Sequence, residues 1–314
     1  MLNQMDNITI LMSTYNGEQY VAEQIDSILS QTYTNWVLII RDDGSKDNTV
    51  HIIDEYVNRE ARIKWFDEDE PRNLGPMKSF FSMLQKVDSA YYMFSDQDDV
   101  WLPQKIEKTL QKMKEIERQS SPSLVHTNLS VTDEQLNVLE EGPASAHDSM
   151  QSLLLTNDVT GCTVMINKSL RLLALNDLES VQVMHDMWLG LLAARFGSIA
   201  YVEFPTMLYR QHSGNVVGKT TGFLKKARLL ASENERRRIQ TSINAASALM
   251  SLHGSRLSGK EVAYLRTIEG FGTETFVKNL YDMCRNNVQK NSKVATIAFI
   301  VKLAINHKYL KQMV

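Results

Sequence analysis

Short apolar runs, separated by stretches in which apolar residues recur every three or four positions, set the rhythm of the first hundred residues. Residues 8–12 and 36–40 are nearly continuous apolar and β-branched runs, the mark of strands buried on both faces, and 63–66 reads as a shorter third. Between the first two, Val21, Ile25, Ile28 and Leu29 share one helical face, and Val50, Ile53 and Val57 repeat that pattern over residues 47–57. Pro76 suits the first turn of a further helix, with Phe80, Phe81 and Leu84 inward, leading to the apolar run Tyr91-Tyr92-Met93-Phe94. Repeated strand, helix and strand units with apolar strands predict an α/β fold whose mainly parallel sheet is covered on both faces. From about Lys219 the strand signals stop, which divides the chain into an α/β domain over 1–218 and a helical region over 219–314.

The polar segments gain meaning from that order, because open α/β sheets bind ligands at the carboxyl ends of their strands. Ser13-Thr14-Tyr15-Asn16-Gly17 follows the first strand and precedes a helix, so its N–H groups can face an anion. Arg41-Asp42-Asp43-Gly44-Ser45 follows the second strand, where a carboxylate commonly reaches nucleoside hydroxyls or base edges. Ser95-Asp96-Gln97-Asp98-Asp99 packs three carboxylates onto one turn; they repel, and an oxygen-coordinated divalent cation that also bridges phosphates neutralises them. Taken singly, each of the first two loops is equally a turn or a helix cap, while the acidic run is less readily a solvated turn capping a helix near Pro103. All three fall on one rim.

Composition narrows the setting. The 314 residues, 43% hydrophobic, support a sizeable core, and two cysteines, Cys162 and Cys284, give no disulfide framework and fit a reducing compartment. The amino terminus lacks a signal-peptide layout, which predicts a cytoplasmic protein. The net charge of -3 hides an asymmetry: residues 219–314 carry 17 of the 34 Lys and Arg but only 6 of the 37 Asp and Glu. A basic tail with few aromatics to stack bases argues against nucleic acid and for an anionic membrane surface, on the inner face of the cell membrane. Within it, residues 223–230 mix bulky apolar with basic residues, and 294–305 are apolar except for Thr296 and Lys302, flanked by Lys290, Lys293, Lys308 and Lys311. That is shorter than the ~20 residues of a spanning helix and predicts an amphipathic interfacial one. Packing on the catalytic domain, or on another subunit of a homo-oligomer, is the alternative.

The three loops, with Gln31-Thr32-Tyr33, Asn73-Leu74-Gly75, Val100-Trp101, Thr160-Gly161-Cys162-Thr163, His185-Asp186-Met187-Trp188-Leu189 and Tyr209-Arg210-Gln211-His212-Ser213-Gly214-Asn215, carry a resemblance. Over roughly residues 7–218 the chain resembles the inverting GT-A glycosyltransferases that use nucleotide sugars. Within them it looks most like the bacterial rhamnosyltransferases of streptococcal rhamnose polysaccharide assembly, which use dTDP-L-rhamnose and undecaprenyl-diphosphate-linked sugars. The resemblance implies a Rossmann-like GT-A domain with a nucleotide-sugar donor held by Thr14, Tyr15, Asn16, Asp42, Asp43, Asp96 and Arg210. It implies Mn²⁺ or Mg²⁺ on Asp98 and His212, leaving Asp99 between ligand and cap. Asp186 becomes the general base, its charge favoured by the helix it opens, where residue chemistry alone reads an N-cap. Trp188 is a candidate acceptor contact; the role of His185, where the family more often has an acid, stays open. A UDP-hexose donor is the first alternative. A nucleotidyltransferase would need a glycine-rich activation loop that the sequence lacks, and a membrane assembly scaffold would not need the carboxylates it keeps.

Overall fold

Apolar strands alternate with amphipathic helices through the first hundred residues of the computed structural model, which describes residues 7–67, 73–143, 146, 148–175, 178, 181–212 and 233–310. The Ser213-Gly214-Asn215 end of the last motif, the boundary at 218, residues 223–230 and Lys311 lie outside the described residues. The alternation comprises β1 (Ile8–Thr14), α1 (Val21–Leu29), β2 (Trp36–Asp42), α2 (Thr49–Arg59), β3 (Ile63–Trp65), α3 (Gly75–Lys86) and β4 (Tyr91–Ser95). Then come β5 (Val100–Trp101), α4 (Lys105–Ile116), β6 (Ser123–Thr132), β7 (Val138–Glu141), α5 (Met150–Leu155), β8 (Met165–Asn167), α6 (Lys168–Ala174), α7 (His185–Phe196) and β9 (Ser198–Arg210). The helical region holds α8 (Glu233–His253), α9 (Gly259–Thr273), α10 (Phe276–Arg285) and α11 (Lys293–Leu310).

Two compact units result. The first comprises residues 1–148, 159–175 and 192–218; the second, 149–158, 176–191 and 219–314, so the helical unit also recruits two segments from earlier in the chain. The sheet belongs to the first unit and runs β3-β2-β1-β4-β8-β6-β9-β5, with β7 beside β6. Its β3-β2-β1-β4 part is parallel, as predicted, and β6 and β9 are also parallel. β8, β5 and β7 run antiparallel to their neighbours, so the sheet is mixed. Strands of two to four residues carry no period that a sequence pattern reveals, and an antiparallel strand needs no crossover helix.

Strand order reverses at β1, which lies between β2 and β4, and such a switch point opens a crevice at the strand ends. Pairing of Thr14 with Asp42 and of Met12 with Ser95 sets the three polar loops side by side there. Side-chain alternation explains the covering. Ile8, Ile10, Met12, Tyr91 and Met93 join a core with α1, α2 and α4, while Phe94 on the other face meets Phe80 of α3 edge-on at 5.7 Å. Each such buried aliphatic or aromatic side chain contributes roughly 1.5–3 kcal/mol.

The second unit is a helical cluster cored by Ile239, Leu249, Leu265, Phe271 and Leu303. Ser258 and Glu261 form a capping box at the start of α9, and the Thr275 side chain caps α10. Among the described residues, no helix is long and apolar enough to cross a membrane.

Candidate active site

The loop after β1 is shaped by borrowed side chains. Asn16 adopts φ +49°, a conformation its short amide tolerates, and its N–H donates to Ser45 Oγ at 2.8 Å while its Oδ1 accepts the Lys46 N–H at 2.9 Å. Gln97 clips the same loop: its Oε1 accepts the Tyr15 N–H at 2.8 Å and its Nε2 donates to the Tyr15 carbonyl at 3.0 Å. Tyr15 and Asn16 face solvent, whereas Thr14 is buried and gives its hydroxyl to Asp42 at 2.9 Å.

The two aspartates at the end of β2 bond to their own surroundings, Asp42 half-buried and Asp43 buried. Asp42 also accepts the Ser45 hydroxyl at 2.6 Å and the N–H groups of Gly44 and Ser45, at 3.0 and 2.7 Å, closing a turn in which Gly44 has φ +90°. The resemblance puts Asp43 against the nucleoside; the structure buries it, with Arg41 donating at 2.6 Å and the Leu74 and Gly75 N–H groups at 2.7 and 2.8 Å. Its carboxylate fixes the start of α3.

The acidic turn separates three carboxylates by environment. Asp96 and Asp98 are half-buried, and Asp99 is buried. Pairing of Val100 with Leu208 brings the end of β9 alongside, so Asp98 Oδ2 lies 2.8 Å from His212 Nε2, with both side chains partly exposed at 20% and 16%. The His212 ring leans on Tyr20, centroids 4.9 Å apart. Arg210, expected at the diphosphate, is buried: its Nε donates to the Asp98 carbonyl at 2.9 Å, its other nitrogens to the Glu134 carbonyl and the Glu23 carboxylate, and it lies over the Tyr20 ring. Its donors therefore hold the acidic turn.

Beneath the rim, Asp99 accepts the Arg210 N–H at 3.3 Å through one oxygen, and its carboxyl also pairs with the Cys162 side chain. Burial, and then the charges of Asp96 and Asp98, push its pKa well up. Burial likewise raises the Cys162 thiol, with Asp99 and Asp96 adding to the rise, and lowers Lys105 to about 8 against the opposing pull of Cys162 and Asp99. Asp96, Asp99 and Cys162 bring ligand atoms within 4.8 Å of one another. Thiolate sulfur suits softer ions than Mn²⁺ or Mg²⁺. Asp98 and His212, a carboxylate oxygen and an imidazole nitrogen within reach of solvent, fit those cations better.

In the second unit, Asp186 lies half-buried on the first turn of α7 with Oδ1 accepting the Met187 N–H at 2.6 Å. His185 is buried, and desolvation lowers its pKa to about 3, so it is neutral. Trp188 is also buried, stacked on His253 at 6.0 Å, which makes it core where the sequence offers it as an acceptor contact. Sequence reasoning missed Gln97, Tyr20 and Glu23. The first was hidden among acids, and the others sit on or beside α1 with no mark but polarity.

Residues 9–173 match the profile of glycosyl transferase family 2, which covers more than half the chain. The chain belongs to that family. As a family 2 glycosyltransferase it is 29% identical over 235 residues to the dTDP-rhamnosyl transferase RfbG of Shigella flexneri, spanning 70% of this chain and 78% of that protein. It is 31% identical over 106 residues to the UDP-Glc:alpha-D-GlcNAc-diphosphoundecaprenol beta-1,3-glucosyltransferase WfgD of Escherichia coli, spanning 34% of this chain and 40% of that protein. Residues 1–349 of S. aureus TarS superpose with a TM-score of 0.60 at 14% identity, covering 98% of this chain and 92% of that one, which bears out the GT-A fold.

Proposed function

We propose that this glycosyltransferase is metal-dependent and inverting, moving L-rhamnose from dTDP-β-L-rhamnose to an undecaprenyl-diphosphate-linked saccharide in cell-surface polysaccharide synthesis. The observation that carries the chemistry is the Asp98 and His212 pair on the switch-point rim. The donor assignment is supported by the name of the Shigella flexneri relative, and the lipid-linked acceptor by that of the Escherichia coli one. The second name also favours a UDP-hexose donor as the alternative.

A divalent cation on Asp98 and His212 would offset charge on the leaving diphosphate. Tyr15 and Asn16, exposed on a loop fixed by Gln97 and Ser45, offer the nucleotide contacts, while Thr14, Asp42, Asp43 and Arg210 hold that surface in shape. Asp186 takes the proton of the acceptor hydroxyl as its oxygen bonds to the anomeric carbon and the bond to dTDP breaks on the opposite face. The test is purified protein with Mn²⁺ and a panel of nucleotide sugars, read by thermal shift and slow donor hydrolysis. Stabilisation and hydrolysis with dTDP-rhamnose alone support the reading; the same response only to a UDP-hexose moves the chain to the alternative donor.

A further inference from the structure

Helix α11 is apolar on two opposite faces, not amphipathic as the sequence predicts. Phe299, Leu303, Asn306 and Leu310 are buried at helical spacing. On the other side Val294, Ile297, Val301, Ile305 and Tyr309 recur at the same spacing and stay exposed, Val294 by 78% and Ile297 by 62%. The stripe is about 22 Å long at 1.5 Å per residue. The helix's own charge is one-sided; among the described residues only Lys302 is answered by an acid, Glu235 of α8 at 2.8 Å. No Asp or Glu follows Asp282 in the sequence, and exposed Lys293 and Lys308 lie at the two ends of the stripe. A further cation, Arg236 of α8, sits over the Tyr309 ring at 4.0 Å.

We propose that this stripe of α11 docks on the surface of an anionic lipid bilayer, lying along the membrane plane. Five apolar side chains in a row offer a shallow insertion face, the terminal lysines meet lipid phosphates, and Tyr309 has the mixed character suited to the headgroup level. A second copy of the chain fits less well. A two-fold pairing across the stripe would set Lys293 against Lys308 of the other copy if the helices ran antiparallel, and each lysine against its own counterpart if they ran parallel, with no acid on α11 to answer them in either case. The second hydrophobic face explains why the helix need not leave its bundle to bind, since Phe299 and Leu303 remain in the core.

The inference gives the lipid-linked acceptor reading a docking surface, yet vesicles without donor or acceptor test it separately. Full-length protein is sedimented with phosphatidylcholine vesicles with and without phosphatidylglycerol. Binding to the anionic vesicles is expected, weakened about tenfold or more by the combined change Ile297→Gln, Val301→Gln and Ile305→Gln, with melting temperature and solution donor hydrolysis unchanged. Lys293→Gln with Lys308→Gln should remove the preference for phosphatidylglycerol, as should high salt in part. Unaltered sedimentation of the triple glutamine variant overturns the proposal. So does a lipid-free dimer of the wild type that the triple variant dissociates, since a second copy would then own the stripe.

Discussion

Asp98 and Asp99 are neighbours with different surroundings, one partly exposed beside His212 and one fully buried. Asp98→Asn keeps the size and an acceptor oxygen but removes the charge that a hard cation needs. Activity should become insensitive to added Mn²⁺ and close to zero, while the melting temperature moves little, because one partly exposed polar contact is worth about 1 kcal/mol or less. Near-normal turnover at limiting Mn²⁺ would remove the metal assignment. Asp186→Asn should leave nucleotide binding intact and cut transfer by roughly 10²- to 10⁴-fold; normal transfer with a lowered melting temperature would reduce Asp186 to a helix cap. A third residue acts through the loop after β1. A Cβ on Gly17 would meet Gln97 Oε1 at 2.2 Å, so Gly17→Ala should push Gln97 off the Tyr15 backbone. The amide can swing away, so the cost is about 1 kcal/mol of stability, from the lost hydrogen bonds, with a raised donor KM. Gln97→Ala should reproduce the KM effect, and a normal KM in both variants would disconnect the clip from donor binding.

At the scale of elements, the pairing of β6 with β9 delivers His212 to the acidic turn. It begins at Ser123 with Ser198 and ends at Thr132 with Arg210. Gly197, just before it, has no room for a side chain: a Cβ would lie 1.8 Å from the Pro122 carbonyl oxygen, and that same carbonyl accepts the Ser198 N–H at 2.9 Å. Backbone cannot rotate out of the way as a glutamine can. Gly197→Ala should therefore cost roughly 1–3 kcal/mol, on the scale of overpacking strain, and shift the far end of β9 enough to raise the metal concentration needed for activity. A melting temperature and Mn²⁺ requirement equal to wild type would show that the start of the ladder does not control its end.

Across the whole molecule, buried His185 ties stability to pH. Its folded pKa of about 3 lies below the ordinary value of about 6.5, because burial disfavours the charged ring. Below pH 6.5 the unfolded chain binds a proton that the folded chain refuses. The contribution is therefore complete above that pH and is lost as pH falls toward the folded value. Melting temperature should drop between pH 7 and pH 4.5, and His185→Gln, which cannot titrate, should show a shallower slope over the same window. Equal slopes would mean that other groups set the acid limb.

By itself the sequence determined the alternation of strands and helices and the parallel run through β1, β2, β3 and β4, because apolar strands covered on both faces leave a pattern that local spacing exposes. It also determined that polar loops share one rim, since parallel strands joined by helices must present the same ends. Tertiary structure decided the rest. His212 meets Asp98 across 114 residues through a strand register that no local pattern encodes. Burial, invisible in a run of like residues, turned Asp43 and Arg210 into braces, closed Trp188 into the core and separated Asp98 from Asp99. It also divided the apolar residues of α11 between a packed face and an exposed one, a choice made by the helices that α11 packs against and not by its own sequence.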